Sequence, residues 1–327
     1  MAELITFGEA MLRLAAPGQR RLEQTESLLV TVGGAELNVA AGVSRLGLGT
    51  EWVSSLPDTA LGRKVRNKAR EFGVDLSHVA WDPSARMGLF YVEYGASPRA
   101  SSVLYDRAHS AFAELRETRF DWPTIFAGAR AFHTTGITPA LGDRTAAETA
   151  ASLAEARHQG LLTSYDLNFR GRLWSPTQAR AVQEPLMEYV DVLITTEEDT
   201  ETVFGITGSD YEEVARKLAD RFGFKVVTIT IRGDCSVLRN TWTAIALAED
   251  RIVDDRTYEL ELVDRVGGGD AYAAGFLYGL LTGDVSKGVR YGNAFSAIKQ
   301  ASWEDFNYAT LGEVEAQIKG AGSRIVR

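Results

Sequence analysis

Three consecutive glycines and an aspartate, Gly267 to Asp270, are the residues whose types and spacing most clearly allow chemistry in this 327-residue chain. The apolar segment that follows them, AYAAGFLYGLL, has almost no polar face and predicts a buried helix. The free N–H groups and the dipole at a helix N-terminus attract anions, and glycines let a bulky anion approach the backbone closely. We therefore predict that Gly267, Gly268 and Gly269 form an anion hole that holds a phosphate group.

A carboxylate beside a phosphate site is repelled by it, so Asp270 needs a chemical reason to be there. A base that takes the proton from a hydroxyl attacking the phosphoryl group is such a reason, and Asp270 is the predicted catalytic residue. The alternative is a glycine-rich connection in which Asp270 only caps the helix. The run is not a Walker A loop, because no Gly-Lys-Ser/Thr follows, and it is not G-x-G-x-x-G.

The elements that must position this run alternate along the chain. From about Arg130 onward, predicted strands such as ARAFHTTGI, LLTSYDLNF, DVLITT and KVVTITIRG are separated by predicted helices. This alternation indicates βαβ units and a parallel sheet, in which ligands bind beyond the carboxyl ends of the strands. The segment TYELELVD is the predicted strand directly before the glycine run.

The N-terminal portion is richer in strands. LITFGEAMLRLA, TEWVSSLP, GLFYVEYG and SSVLYDRA each predict a strand, and NVAAGVSRLG and LGRKVRNKAREFGV predict helices. The strand material that interrupts the α/β rhythm predicts a small β lid, formed by roughly residues 10–32 and 86–108. We expect this lid to be inserted into one α/β domain that spans residues 1–327.

Composition excludes several classes of function. The formal net charge of -9 argues against a nucleic-acid partner. Cys235 is the only cysteine, so no intrachain disulfide can form, and a reducing, cytoplasmic compartment is predicted. No apolar run reaches the roughly 20 residues that span a bilayer, and the first residues do not read as a signal peptide. The four histidines are scattered, which argues against a zinc cluster.

Two motifs give the chain a family resemblance. DRVGGGDAYAAGFLYGLL resembles the second signature of the ribokinase-like (PfkB) carbohydrate kinases, and TVGGAELNVAAGVSRLG is similar to their first signature. The second signature departs from the wider family at Arg265 and Val266, where small or hydroxylated residues are usual. Within the family, GLFYVEYG, VLYDRAHSAFA, DLNFRGRLW, DFNYATLGEVEA and the terminal SRIVR resemble the 2-keto-3-deoxygluconate kinases.

The resemblance implies a ribokinase-like fold, with a mostly parallel central sheet flanked by helices and a small β-sheet lid. It implies transfer of a phosphoryl group from ATP, with Mg²⁺, to the 6-hydroxyl of the small acidic sugar 2-keto-3-deoxygluconate or of its galactonate epimer. The exposed strand edges of such a lid predict a homo-oligomer. Two alternatives stay open: a kinase of a neutral sugar such as fructose or ribose, and a catalytically inactive sugar-sensing protein on the same fold.

Carried onto this chain, the Y-x-R segment of these kinases corresponds to Tyr105 and Arg107, which would hold the acidic sugar. Residues two apart on a strand share one face, so both side chains are expected over the sugar. The guanidinium of Arg107 can bind a carboxylate bidentately, whereas a neutral sugar offers it no partner. The alternative for Arg107 is a solvated charge on the lid.

The resemblance assigns the remaining contacts as well. The predicted sugar contacts are Gly33, Gly34, Asn38, Phe90, Asn168 and Arg170, and the predicted nucleotide contacts are Arg232, Gly233 and Asn293. Phe90 stands where the group commonly has tyrosine, Asn293 is alternatively a core residue, and Arg172 is expected at the surface. The N-x-x-E metal motif of the family corresponds here to TEED, with Thr196 and Asp199, which leaves the protein groups that support Mg²⁺ open.

Overall fold

The computed structural model describes residues 2–115 and 120–320, so the SRIVR segment lies outside the described residues. Within these ranges the chain forms two sheets and the helices that cover the larger one. In chain order the strands are β1 (Leu4–Phe7), β2 (Met11–Ala15), β3 (Leu29–Gly33), β4 (Thr50–Pro57), β5 (Val79–Asp82), β6 (Leu89–Glu93), β7 (Ser102–Asp106), β8 (Ala131–Thr135), β9 (Leu162–Asp166), β10 (Val192–Thr195), β11 (Val226–Ser236), β12 (Arg239–Ala248), β13 (Arg251–Asp254) and β14 (Tyr258–Glu261).

The larger sheet has the order β13-β12-β11-β10-β9-β8-β1-β4-β5, and β14 pairs with β12 beside this path. Neighbours from β11 to β5 run parallel, whereas β12, β13 and β14 are joined by antiparallel pairs. Strands β1, β4, β8 and β10 are buried along their whole length, as expected where helices cover both faces of a parallel sheet.

The helices follow the predicted alternation. They are α1 (Ala35–Arg45), α2 (Ala60–Glu71), α3 (Ala111–Glu114), α4 (Trp122–Ile125), α5 (Asp143–His158), α6 (Pro176–Leu186), α7 (Glu197–Phe204), α8 (Tyr211–Phe222), α9 (Gly268–Thr282), α10 (Val285–Gln300) and α11 (Leu311–Ile318). Helices α5 to α8 contribute to the apolar core on one face of the sheet. Helices α1, α9 and α10 contribute to the core on the other face. The predicted α/β fold is confirmed, and within the described residues no helix is long and apolar enough to cross a bilayer.

Helix α9 is fixed from behind by α10. A side chain at Gly275 would come within 2.5 Å of the Tyr291 carbonyl oxygen, and one at Gly279 within 2.6 Å of the Gly288 Cα atom. These glycines therefore let the two helix backbones pack in direct contact. The prediction that this helix is buried is confirmed, and its N-terminus is held in place by the packing.

The smaller sheet has the order β3-β2-β6-β7 and is built from the two segments predicted to form the lid. LITFGEAMLRLA was expected to be one strand, but it forms β1 in the larger sheet and β2 in the lid sheet. The break lies at Gly8 and Glu9, where a side chain on Gly8 would come within 2.0 Å of the Glu36 carboxylate. The apolar content is continuous across this break, so composition alone does not reveal it.

The edge beside the glycine run also differs from expectation. TYELELVD was expected to lead into the helix as a strand of a parallel sheet, but its core, β14, pairs antiparallel with β12. A loop, residues 262–267, then leads to α9. Strands β5, β12 and β13 were not predicted, although β12 carries the alternating burial of a strand with one covered face.

Candidate active site

One cavity of about 320 Å³ lies between the start of α9, the carboxyl ends of β9 and β10, and the inner face of the lid. The side chains predicted for catalysis, phosphate and sugar converge on it from segments far apart in the sequence. The predicted residues that line the cavity are Gly34, Asn38, Phe90, Tyr105, Arg107, Asn168, Arg170, Arg232, Gly267, Gly268, Gly269 and Asp270.

Three predicted residues do not line this cavity. Gly33 is buried behind it, and a Cβ atom there would come within 2.4 Å of the Asp305 carboxylate, so this glycine serves protein packing. Gly233 pairs with Thr241 in the ladder between β11 and β12. Asn293 is fully buried in α10, and neither polar atom of its amide has a partner among the described residues. The structure therefore places Asn293 in the core between helices rather than on the cavity wall.

The environment of Asp270 fits a base. The Asn38 side-chain amide donates to Asp270 Oδ2 at 2.7 Å, and burial raises the pKa of the Asp270 carboxyl against the effect of this bond. Gly267, not Asp270, is the N-cap residue of α9, so the capping alternative is wrong. The side-chain oxygen of Asn38, Oδ1, accepts no hydrogen bond from the described residues and could accept one from a ligand.

The glycines of the run have different structural duties. Gly267 has φ of 81°, a left-handed conformation that favours glycine, and a Cβ atom there would come within 2.7 Å of the Asp305 carbonyl oxygen. A Cβ atom on Gly268 would touch the Gln300 side chain at 3.1 Å. At Gly269 it would meet no atom within 4 Å. The backbone of Gly269 therefore faces open space, as a phosphoryl site requires.

A cluster of acidic side chains surrounds the base. Asp166 ends β9 and Asp199 lies in the first turn of α7. Burial, followed by the charges of Asp270 and Asp199, raises the pKa of Asp166 well above its ordinary value. Burial also raises the pKa of Asp199 to about 6, and the guanidinium of Arg170 opposes this rise. Arg170 is thus the cation that acts on all three carboxyl groups.

Carboxylates that resist ionisation in one another's presence suit a hard divalent cation, which removes the repulsion and binds oxygen ligands. Of the residues that line the cavity, Asp166 and Asp199 would hold Mg²⁺ on this ground. The Thr196 hydroxyl instead caps α7 by accepting from the Asp199 N–H at 3.0 Å. No group of three or more metal-ligating side chains is preassembled in the part of the chain that the structure describes, which fits an ion held largely by phosphates and water.

Sequence reasoning missed the buried carboxyl of Glu36, which lines the cavity from the first turn of α1. Its Oε1 atom accepts from the Thr135 N–H at 3.1 Å and from the hydroxyls of Thr135 and Thr138 at 2.7 and 2.8 Å. Burial raises its pKa to about 7 despite these bonds. The available signal was a lone acidic residue in the otherwise apolar motif GGAELNVA.

The lid contributes the opposite charge. Arg107 donates through Nε and Nη2 to Glu9 Oε2 at 2.8 and 2.5 Å, so it is not a solvated charge. Its guanidinium lies 5.6 Å from the centre of the Tyr105 ring, which stacks on Phe90 at 6.0 Å. The three predicted lid residues, Phe90, Tyr105 and Arg107, therefore share the face that covers the cavity.

A buried ion-pair network ties the lid to the glycine run, and sequence reasoning did not find it. Arg13, on β2, donates to Asp305 Oδ1 and Asp264 Oδ2, each at 2.5 Å, and also to the Tyr94 hydroxyl. The Lys299 ammonium donates to the Asp264 carbonyl oxygen at 2.9 Å. Asp305 lines the cavity and Asp264 precedes the run, so the position of the lid and the shape of the anion hole depend on one another.

The far end of the cavity, where nucleotide contacts were predicted, contains Arg232 and Trp242 from the paired strands β11 and β12. The Arg232 guanidinium lies 6.0 Å from the Trp242 ring centre. The indole N–H of Trp242 is buried and has no acceptor among the described residues. Arg172, expected at the surface, is exposed but donates to the Val103 carbonyl oxygen on lid strand β7 at 2.6 Å.

Comparison with known proteins agrees with this geometry. The sequence pattern described as "pfkB family carbohydrate kinase" matches residues 1–302. A 2-dehydro-3-deoxygalactonokinase from Haloferax volcanii is 39% identical and covers 100% of this chain and 99% of its own. A 5-dehydro-2-deoxygluconokinase from Shouchella clausii is 30% identical over 97% of this chain and 95% of its own. The crystal structure of 2-dehydro-3-deoxygluconokinase from Thermotoga maritima superposes with a TM-score of 0.95 at 40% identity, covering 98% of each chain.

Proposed function

The chain belongs to the pfkB family of carbohydrate kinases, and from that premise we propose that it phosphorylates the 6-hydroxyl of 2-keto-3-deoxygluconate or its galactonate epimer. 2-Keto-3-deoxygluconate and 2-dehydro-3-deoxygluconate are two names for the same compound. Kinases of this family use ATP, and the chain is a phosphotransferase with an alcohol acceptor. The observation that carries the choice of substrate is the presence, in one cavity, of Asp270 beside the glycine run and of Arg107 on the lid.

In the proposed reaction Asp270 accepts the proton of the attacking hydroxyl, while Asn38 holds the carboxylate in one orientation. The start of α9 at Gly268 and Gly269 receives the phosphoryl group, and Arg170 stabilises negative charge that develops there. When bound, Mg²⁺ would neutralise charge on the phosphates of ATP. The lid covers the site and excludes water that would otherwise hydrolyse ATP.

The rival functions predict different cavities. A neutral sugar would leave the edge of the Arg107 guanidinium that Glu9 does not occupy without an anionic partner. A sugar sensor without catalysis does not need a carboxylate such as Asp270, whose pKa is raised by its partly buried position beside an anion site. The Shouchella clausii relative supports a second candidate, 5-dehydro-2-deoxygluconate, which is also a sugar acid and would use Arg107 in the same way.

An assay of ADP release with purified protein, ATP and Mg²⁺ tests the proposal across five sugars. Both 2-keto-3-deoxy acids should be phosphorylated with kcat/KM at least tenfold above 5-dehydro-2-deoxygluconate, fructose and ribose, and phosphorus NMR should place the new ester at the 6-position. Preference for fructose or ribose would refute the acidic substrate. Absence of turnover with every sugar, while the sugars still bind, would favour the sensor.

We also propose that the chain forms a homo-oligomer through the outer face of its lid. On that face a cross-strand row joins Val30, Leu14, Tyr91 and Leu104, and Leu104 is 57% exposed. Strands β3 and β7 are the edge strands of this sheet on either side of the row, and edge strands can pair with another chain. Light scattering after gel filtration should give a molar mass of more than one chain per particle. Leu104→Glu should lower that molar mass toward the mass of a single chain. A monomeric parent protein would refute this assignment.

A further inference from the structure

Glu9 lies where the chain passes from the larger sheet to the lid, between β1 and β2, and its carboxylate is almost completely buried. Both carboxylate oxygens are engaged. Oε2 accepts from Nε and Nη2 of Arg107, and Oε1 accepts from the Ser110 hydroxyl. One oxygen of the carboxylate is thus held by Ser110, and the other binds only the guanidinium of Arg107.

The edge of the guanidinium that Glu9 uses is informative. A guanidinium offers a side edge, formed by Nε and Nη2, and an end edge, formed by Nη1 and Nη2, and each can bind one carboxylate. Glu9 takes the side edge of Arg107. Among the described residues Nη1 has no hydrogen-bond acceptor, while the Arg107 side chain lines the cavity. The end edge is therefore left for a ligand.

We infer that Glu9 is a positioning residue that fixes Arg107 with its end edge toward the cavity, so that it selects an acidic sugar. This inference rests on the proposed function. A long arginine side chain loses rotamer entropy when it is ordered, and the contact with Glu9 orders it before the ligand binds. The side edge is already filled, so a second carboxylate can approach only in the end-on geometry.

The contact between Glu9 and Arg107 could instead compete with the substrate, and the two roles predict opposite changes in KM when Glu9 is neutralised. If Glu9 competed with the substrate carboxylate for the guanidinium, neutralising Glu9 would tighten the binding of an acidic sugar. If Glu9 positions Arg107, neutralising it loosens the guanidinium and weakens that binding. The sign of the change in KM separates the two roles.

The test is Glu9→Gln in the full chain, which keeps the shape and removes the charge. KM for 2-keto-3-deoxygluconate should rise roughly tenfold, equivalent to about 1.4 kcal/mol, while KM for ATP and kcat stay within about twofold. The matched control is Glu93→Gln, because Glu93 also pairs with an arginine on the lid, Arg99 at 2.6 Å, but does not line the cavity. The control should leave KM for the sugar unchanged.

A double variant shows whether Glu9 acts through Arg107. Added to Arg107→Ala, the Glu9→Gln change should cause no further loss in kcat/KM for the acidic sugar. If Glu9→Gln fails to fold, Glu9→Asp draws the carboxylate back by one methylene and should raise the same KM without changing that for ATP. A fall in KM, an equal rise in both KM values, or no change would overturn the inference. Failure of the parent enzyme to use acidic sugars would instead refute the proposed function.

Discussion

Substitution of Gly269 by alanine separates phosphate binding from folding. A Cβ atom there meets no protein atom within 4 Å, and Gly269 is the second residue of α9 with no left-handed φ. Replacing a helical glycine by alanine then stabilises the fold by roughly 0.5–1 kcal/mol. The same methyl group stands where the phosphoryl group is expected. Loss of one hydrogen bond to a charged oxygen costs about 1.5–3 kcal/mol, or roughly a tenfold to hundredfold fall in kcat/KM.

The assay pairs ADP release with thermal melting, and the chain supplies two controls. Gly312 is likewise the second residue of its helix, α11, and faces open space outside the cavity, so Gly312→Ala should leave turnover unchanged. Gly267→Ala should lower stability, because its φ of 81° and the Asp305 carbonyl oxygen at 2.7 Å both oppose a side chain. Full turnover by Gly269→Ala would refute the assignment of the anion hole.

Three further substitutions test the site. Asp270→Asn should lower kcat by about 10²–10⁴-fold with little change in ATP binding, and near-normal turnover would exclude Asp270 as the base. Arg107→Ala should lower kcat/KM for the acidic sugar by roughly 30-fold or more, and by much less for an analogue whose carboxylate is reduced to an alcohol; equal losses would refute the selective role. Because burial raises the pKa of Glu36 to about 7, its contribution to stability is fully present below its ordinary value near 4.5 and is lost as pH rises to about 7. The unfolding free energy of Glu36→Gln, measured by denaturant melts, should therefore rise relative to that of the parent protein by up to about 3 kcal/mol between pH 5 and pH 8. If the unfolding free energies of the two proteins change in parallel with pH, this prediction is wrong.

The predicted site residues that the structure brings to one cavity are those that a short segment of sequence is enough to identify. Gly267 to Asp270 carry their chemistry within four positions, and the apolar segment after them indicates the buried helix that orients them. Tyr105 and Arg107 need only the period of a strand to share a face. The two family motifs then place Asn38 and Asp270 in one site, where the structure shows them hydrogen-bonded.

The rest depends on pairs that no local pattern contains. Arg13 and Asp305 are separated by 292 positions, and Glu9 and Arg107 by 98, yet the first pair is buried and the second is partly buried. A charged residue on a strand normally indicates a face exposed to solvent. Burial of the charge is tolerated only because a partner from a distant segment offsets its desolvation cost. The same limit explains β14, since alternation marks a strand but does not give its partner or direction.

The acidic side chains that line the cavity differ in whether a basic side chain balances their charge. The carboxylates of Glu9 and Asp305 are paired with the guanidinium groups of Arg107 and Arg13 before any ligand arrives. Among the described residues Asp166 and Asp199 form no ion pair, and burial raises the pKa of each against the opposing charge of Arg170. The triphosphate of ATP brings further negative charge to the same place, so ATP without a cation is disfavoured there. A divalent cation held by these two carboxylates would remove this repulsion, so the site suits the triphosphate together with its cation.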